Sequence, residues 1–297
     1  MRNFPNQPIR IITGVAGSDL DLVVRLIAHG ISRSLGQPVK VENREPDLLA
    51  EIVFKAPPDG HTLLVSTQNL WVAPLIRNTP YDAVKDFSPV TVVAASPLVF
   101  CVHPSVAANS IEELIALAKA RPGKLNYCSG LDGSTSHLGG ALFTKMAGVN
   151  IVRIPYKHGM AGIKDLIAGK VQLMIPGACM GMEQVKLGKL RALAVTSAQP
   201  SATAPGLPTV AASGLPGYEI IQTLGMFAPA KTPAAVIRRL NHEVVQALNE
   251  PDVKEKLLNI GVDVVVSSPE EFAVRIKSER TKWGKLIKDI GIKTANS

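Results

Sequence analysis

Three short stretches carry residue types suited to holding an anion. Gly14-Val15-Ala16-Gly17-Ser18-Asp19-Leu20-Asp21 follows an apolar run and opens an amphipathic one. A helix starting there presents unpaired backbone N–H groups and a partial positive charge. The GxxG spacing, with Glu42 at the end of the next strand-like run, admits a nucleotide-dependent oxidoreductase that uses the Gly14–Asp21 loop. The third glycine of GxGxxG is missing, and turn glycines with Asp19 as a helix cap account for the same residues without a ligand. Ser129-Gly130-Leu131-Asp132-Gly133-Ser134-Thr135-Ser136-His137 is the second stretch, whose hydroxyls and small residues let a backbone approach an oxygen-rich ligand closely. The third, Pro176-Gly177-Ala178, leads from a strand-like run into Cys179 and serves equally as a plain turn.

Hydrolytic and metal chemistry has less to stand on. There is no GxSxG elbow and no HExxH, and no two of the six histidines are spaced i,i+4, so neither a metal nor another cofactor is expected. Cys128 could pair with His137 or His158 as a nucleophile, yet nothing local marks either, and a buried Cys with loop His residues accounts for them. Cys101, Cys128 and Cys179 lie far apart among small or apolar neighbours, which predicts three buried thiols, with one disulfide as the alternative in an oxidising compartment.

These stretches need elements to position them. Ile9-Arg10-Ile11-Ile12 predicts a strand, and Leu20, Val23, Val24, Ile27, Ile31 and Leu35 line one face of a helix closed by Gly36 and Pro38. Strand-like runs at 39–42 and 62–65 flank a helix over 48–54, the β-α-β-α-β pattern of a parallel sheet. Two extended pieces around Pro97 predict a crossing into a second lobe. There Ser110 and Glu113 start a helix, a strand at 125–127 leads to a helix over 136–147, and strands at 151–154 and 171–175 precede helices at 161–168 and 180–187. A strand at 190–195 closes the set, a Pro- and Ala-rich loop covers 200–216, and 224–228 reads as a return strand. Helices over 233–249 and 252–259 follow, and Ser268-Pro269-Glu270-Glu271 starts the last one. The expected division is lobe 1 from 1–100 and 225–297, lobe 2 from 101–224, with crossings near 97–102 and 220–228.

Of the 297 residues, 46% are apolar and 19% charged, which excludes a disordered or coiled-coil chain. The net charge of +8 favours anionic partners. It divides as 0 over 1–100, +5 over 101–230 and +3 over 231–297, with no basic run, and aromatic residues are only 4%, so nucleic acid is not an expected partner. The uncharged stretches 88–111 and 192–218 are interrupted by prolines and cannot span a bilayer. Because strand-like sequence begins almost at the first residue, no signal peptide is expected, leaving a cytoplasmic protein or a mature form given a new Met.

A series of collinear motifs resembles one family. Pro8-Ile9-Arg10-Ile11-Ile12-x-Gly14, Asp21-Leu22-Val23-Val24-Arg25-Leu26 and Leu35-Gly36-Gln37-Pro38-Val39-x-Val41-Glu42-Asn43-Arg44 are followed by Lys55-Ala56-Pro57-Pro58-Asp59-Gly60-His61-Thr62-Leu63-Leu64. Tyr81-Asp82-x-x-Lys85-Asp86-Phe87, Pro122-Gly123-Lys124-Leu125-Asn126-Tyr127, Pro155-Tyr156-Lys157, the run from Gly188 to Ser197 and Leu207-Pro208-Thr209-Val210 continue it nearly end to end. The order is similar to that of the solute-binding receptors of tripartite tricarboxylate transporters, the Bug family.

The resemblance implies an α/β, two-lobe periplasmic-binding-protein fold (type II-like) with a ligand cleft between the lobes. It implies a monomeric, exported receptor, periplasmic and with its signal peptide absent from this sequence, that captures a small carboxylated organic solute and delivers it to membrane permease subunits. A ligand sensor that hands its signal to another protein is the neighbouring reading. Mapped from the family, the ligand-binding residues are Gly17, Ser18 and Asp19; Ser66, Thr67 and Gln68; Ser129, Ser134, Thr135 and His137; and Pro176 and Gly177. Departures fall in the ligand loops. The first loop is one residue shorter, with one glycine fewer and an added acid at Asp19; the stretch after Arg44 is about three residues shorter; Pro176 and Gly177 stand where an Asp-Asn pair is common; and His158 replaces a usual Gly. Asp19 would repel a carboxylate placed directly on it, so an atypical ligand is expected.

Overall fold

The computed structural model describes residues 4–292. Strand β1 (Ile9–Thr13) runs into α1 (Asp19–Leu35), whose apolar stripe of Leu20, Val23, Val24, Ile27, Ile31 and Leu35 is buried against the sheet. Ser18, not Asp19, caps this helix: its Oγ accepts from the Asp21 amide, and Gly36 closes the far end in the left-handed conformation that a residue with a Cβ disfavours. Next come β2 (Val39–Asn43), α2 (Leu49–Phe54), β3 (Thr62–Thr67) and the short α3 (Asn69–Val72). The eleven-residue β4 (Phe87–Pro97) and β5 (Val99–Val102) are separated only by Leu98.

The second lobe continues with α4 (Ile111–Ala120), β6 (Asn126–Ser129), α5 (Thr135–Ala147), β7 (Val152–Pro155), α6 (Gly159–Ile167), β8 (Leu173–Met174), α7 (Ala178–Lys186) and β9 (Arg191–Val195). The chain returns through β10 (Ile221–Pro229) to α8 (Ala234–Asn249), α9 (Pro251–Asn259) and α10 (Pro269–Asp289). Sheet order is β2-β1-β3-β10-β4 in one lobe and β7-β6-β8-β5-β9 in the other. β1, β2 and β3 pair in parallel, as do β6, β7 and β8, while the crossing strands β10 and β5 pair antiparallel with their neighbours.

Where the two crossings meet, the buried Thr196 hydroxyl holds both. Its Oγ1 accepts from the Leu98 amide at 2.7 Å and lies 2.6 Å from the Ile220 carbonyl, to which it donates. One apolar core is continuous through this point, from Trp71, Phe87, Phe227 and Phe272 on one side to Phe100, Phe143 and Tyr218 on the other.

Local readings differ in several places, α6 starting at Gly159 where 161 is expected and β10 covering Ile221–Pro229 where 224–228 is expected. Strand 171–175 contracts to two residues, and α7 starts two residues before the expected 180. Glu113 does not complete a box with Ser110: it accepts from the Asn109 amide instead, whereas Ser268 and Glu271 form both reciprocal bonds. All three thiols are free. Cys101 and Cys128 both register on Met174, one on each side, so about two strand spacings, roughly 9.5 Å, separate them, beyond the ~7 Å a disulfide spans.

Candidate functional site

In open α/β sheets the ligand crevice lies outside the carboxyl ends of the strands. Here four such ends, β1, β6, β7 and β8, lead directly into α1, α5, α6 and α7, and all four helix N-termini open on one cavity between the lobes, of about 210 Å³. Pockets that bury drug-sized ligands run ~300–1,000 Å³, so this one suits a small solute. Backbone N–H groups at a helix start favour negative charge. Two basic residues, Lys157 and His158, line the cavity, and Asp19 is its acid.

The α5 start is held from outside by Arg153 on β7. Its Nε donates to Ser129 Oγ at 2.7 Å, one terminal nitrogen to the Gly130 carbonyl at 2.9 Å and the other to Asp132 at 2.6 Å. Ser134 caps the helix by accepting from the His137 amide, and Ser136 Oγ accepts from the Gly130 amide at 3.1 Å. The α6 start is capped by His158, whose Nδ1 accepts from the Ala161 amide, and α7 opens on Gly177 without a side-chain cap.

The α1 start is fixed within its own lobe. Asp21 accepts from the Gly17 amide at 2.9 Å, Asn43 Nδ2 at 2.8 Å and Arg25 Nε at 3.0 Å. Burial alone would raise its pKa, but these three bonds outweigh burial and hold it below the usual carboxylate range. Asp19 differs. Burial pushes its carboxyl up to about 6, against hydrogen bonds from the Cys179 thiol and from its own and the Met180 amide, while Glu183 adds to the rise. Two close approaches accompany it. A Cβ at Gly261, on the α9–α10 loop, would meet the backbone of Ala178 and Cys179, and one at Gly133 would meet that of Ala73, so the lobes touch at both places.

Ser18, Asp19, Ser66, Thr67, Ser134, Thr135, Pro176 and Gly177 line the cavity. Gly17, Gln68, Ser129 and His137 do not. The Gly17 amide is taken by Asp21. Gln68 is buried and ties β10 down, donating to the Ile221 carbonyl and accepting from the Thr223 amide. Ser129 is buried beneath Arg153. His137 faces inward, its Nδ1 accepting from the Gly133 amide, and burial first and Arg153 second push its pKa down to about 4, which keeps it neutral.

Asn69, Ser136, Lys157, His158 and Gln222 also line the cavity. Lys157 and His158 sat in view, at the end of the Pro155-Tyr156-Lys157 motif, but only the β7–α6 turn reveals their direction. Asn69 Oδ1 has no hydrogen-bond partner among the described residues. The acid a nucleotide would need, Glu42, is engaged by Arg10 at 2.7 Å and Arg44 at 2.9 Å. No cluster of three or more potential metal ligands occurs among the described residues.

Two α/β lobes joined by crossing strands around a cavity of helix N-termini define a two-lobe solute-binding protein. Residues 23–292 match the tripartite tricarboxylate transporter family receptors. The chain is 36% identical, over 96% of its length and 86% of the relative's, to the UPF0065 protein in the tcbD-tcbE intergenic region of Pseudomonas sp. strain P51. It is 32% identical to R. palustris Rpa4515, solved with adipate, at a TM-score of 0.93 over 98% of this chain and 99% of that one. It is 30% identical to the periplasmic binding protein BugD, at a TM-score of 0.91 over 98% and 100% of the two chains. The chain therefore belongs to the tripartite tricarboxylate transporter receptor family, to which the Bug proteins belong.

Proposed function

We propose that this chain is a periplasmic, monomeric receptor that closes on a small carboxylated organic solute and hands it to membrane permease subunits, with no catalysis of its own. The observation that carries the reading is the convergence of the α1, α5, α6 and α7 N-termini on one cavity also lined by Lys157 and His158. Hydroxyls of Ser18, Ser66, Thr67, Ser134 and Thr135, with the backbone at Pro176 and Gly177, complete the polar lining. Adipate in the similar Rpa4515 structure supports a carboxylate. The working division is 1–100 with 225–297 against 101–224, its bounds falling inside β5 (Val99–Val102), which pairs in the second sheet, and β10 (Ile221–Pro229), which pairs in the first.

A ligand bound only by the folded protein at 100 times its Kd stabilises it by ~2.7 kcal/mol, which a thermal-shift assay resolves. Small aliphatic and aromatic carboxylates raise Tm, and NAD(P) leaves it unchanged. A rise with NAD(P) and with no carboxylate would overturn the reading.

A further inference from the structure

Asp19 is an acid seated where an anion belongs. It is the first residue of α1, in one lobe, yet its carboxylate reaches the start of α7 in the other. A Cβ on Gly177 would fall on Asp19 Oδ2, so the carboxylate packs directly on the glycine that opens α7. The lack of a side chain at 177 is what lets it in. Two helix N-termini, one from each lobe, thus share a carboxylate that belongs to the protein.

We infer that Asp19 stands in for a solute carboxylate, filling the anion position at α7 and drawing the lobes together, so that the solute this receptor takes carries one carboxylate and an apolar body. This inference rests on the carboxylate-receptor reading above. The remaining anion position lies between α5 and α6. There the amides of Thr135, Ser136, Gly159 and Met160 make no backbone hydrogen bond among the described residues, and Lys157 supplies a cation beside the His158 ring. The rest of the wall is largely apolar, from Leu49, Leu131, Met160, Met174 and Met180. A second solute carboxylate, pointing away from α5, would meet the Asp19 charge in a confined, poorly solvated space.

The test uses matched acids of equal framework, hexanoate against adipate and benzoate against terephthalate, titrated calorimetrically into the wild type and Asp19→Gly. In the wild type the monoacid of at least one pair binds tenfold or more tighter than its diacid. In Asp19→Gly the diacid of that pair gains tenfold or more, because its second carboxylate now reaches the α7 amides. A wild type that takes the diacid as tightly as the monoacid in both pairs overturns the inference and leaves the receptor reading standing. No binding of any of the four to either protein overturns both. If Asp19→Gly does not fold, Asp19→Ala carries the same comparison, because it too clears the α7 position. Small-angle scattering checks the latch separately: ligand-free wild type is compact and the variant expanded, and equal radii of gyration overturn that half.

Discussion

Helices α1 and α5 enter the cleft from opposite lobes by the same device: a strand, a glycine-bearing turn, a serine whose hydroxyl caps the third amide, then the helix. At α1 the turn is closed by its own acid, Asp21, which consumes the Gly17 amide and is braced by Asn43 and Arg25, and the next acid outward points across the cleft. At α5 the turn is closed by a cation from the neighbouring strand, Arg153, and no acid stands at the helix start. One helix start is occupied by the protein, the other is left for a guest. The difference teaches that a helix N-terminus becomes a ligand site only when its surroundings leave its amides unspoken for.

The largest test of this contrast is electrostatic. The Asp19 carboxyl titrates near 6 in the folded chain and near 3.8 when exposed, so between those values the folded state holds a proton that the unfolded state has lost. Stability from this group is full below about pH 4 and is lost as pH rises through 6. Relative to wild type, Asp19→Asn therefore gains about 2 kcal/mol between pH 4 and pH 7, read from urea midpoints; the ideal ~3 kcal/mol is reduced by the water the carboxyl still meets. His137, neutral in the fold down to about pH 4, drives the opposite trend, stability rising with pH, and is common to both proteins. A difference that stays flat across this range would remove the half-buried Asp19 charge from the account of α1.

Arg153→Met tests the other side. Three charge-assisted bonds to the α5 turn disappear, leaving the buried Ser129 hydroxyl with no donor to accept from and the Gly130 carbonyl with the Ser129 hydroxyl alone. The expected cost is about 2 kcal/mol, with at least a tenfold loss of ligand affinity in calorimetry. Asn43→Ala is its counterpart at α1, removing donors to the Gly14 carbonyl and to Asp21. About 1–2 kcal/mol of stability is lost, with affinity changed less than by Arg153→Met. Equal affinity losses would show that the two helix starts are not used differently. Smallest are the caps: Ser18→Ala and Ser134→Ala each cost about 1 kcal/mol, and the second weakens binding more than the first.

Much of the scaffold was legible because its signals are local. The stripe of α1 and the capping box of Ser268 and Glu271 are written in neighbouring residues, and the crossing around Pro97 is marked by extended, apolar sequence on both sides. The cleft was legible to the level of loops and not of side chains. Ser134 caps α5 and Ser129 ends β6 just before it, but the first faces the cavity and the second is buried under an arginine 24 residues away. Gln68 sits beside Thr67 and is drawn inward by backbone groups more than 150 residues on. Asp19 shows the same limit. Its charge was visible as a repulsive element, but its partner, the start of α7, is brought to it only by the meeting of the lobes.

Gly261 carries a mechanical consequence. Its missing side chain lets the α9–α10 loop rest on the backbone of Ala178 and Cys179, so the two halves meet with less slack than one methyl group occupies. Position 261 is thus a doorstop waiting to be fitted: a bulky residue there would keep the jaws ajar whatever lay between them. Such a propped receptor, cargo loaded or not, would let its membrane partner be asked whether it recognises the solute or only the shut shape.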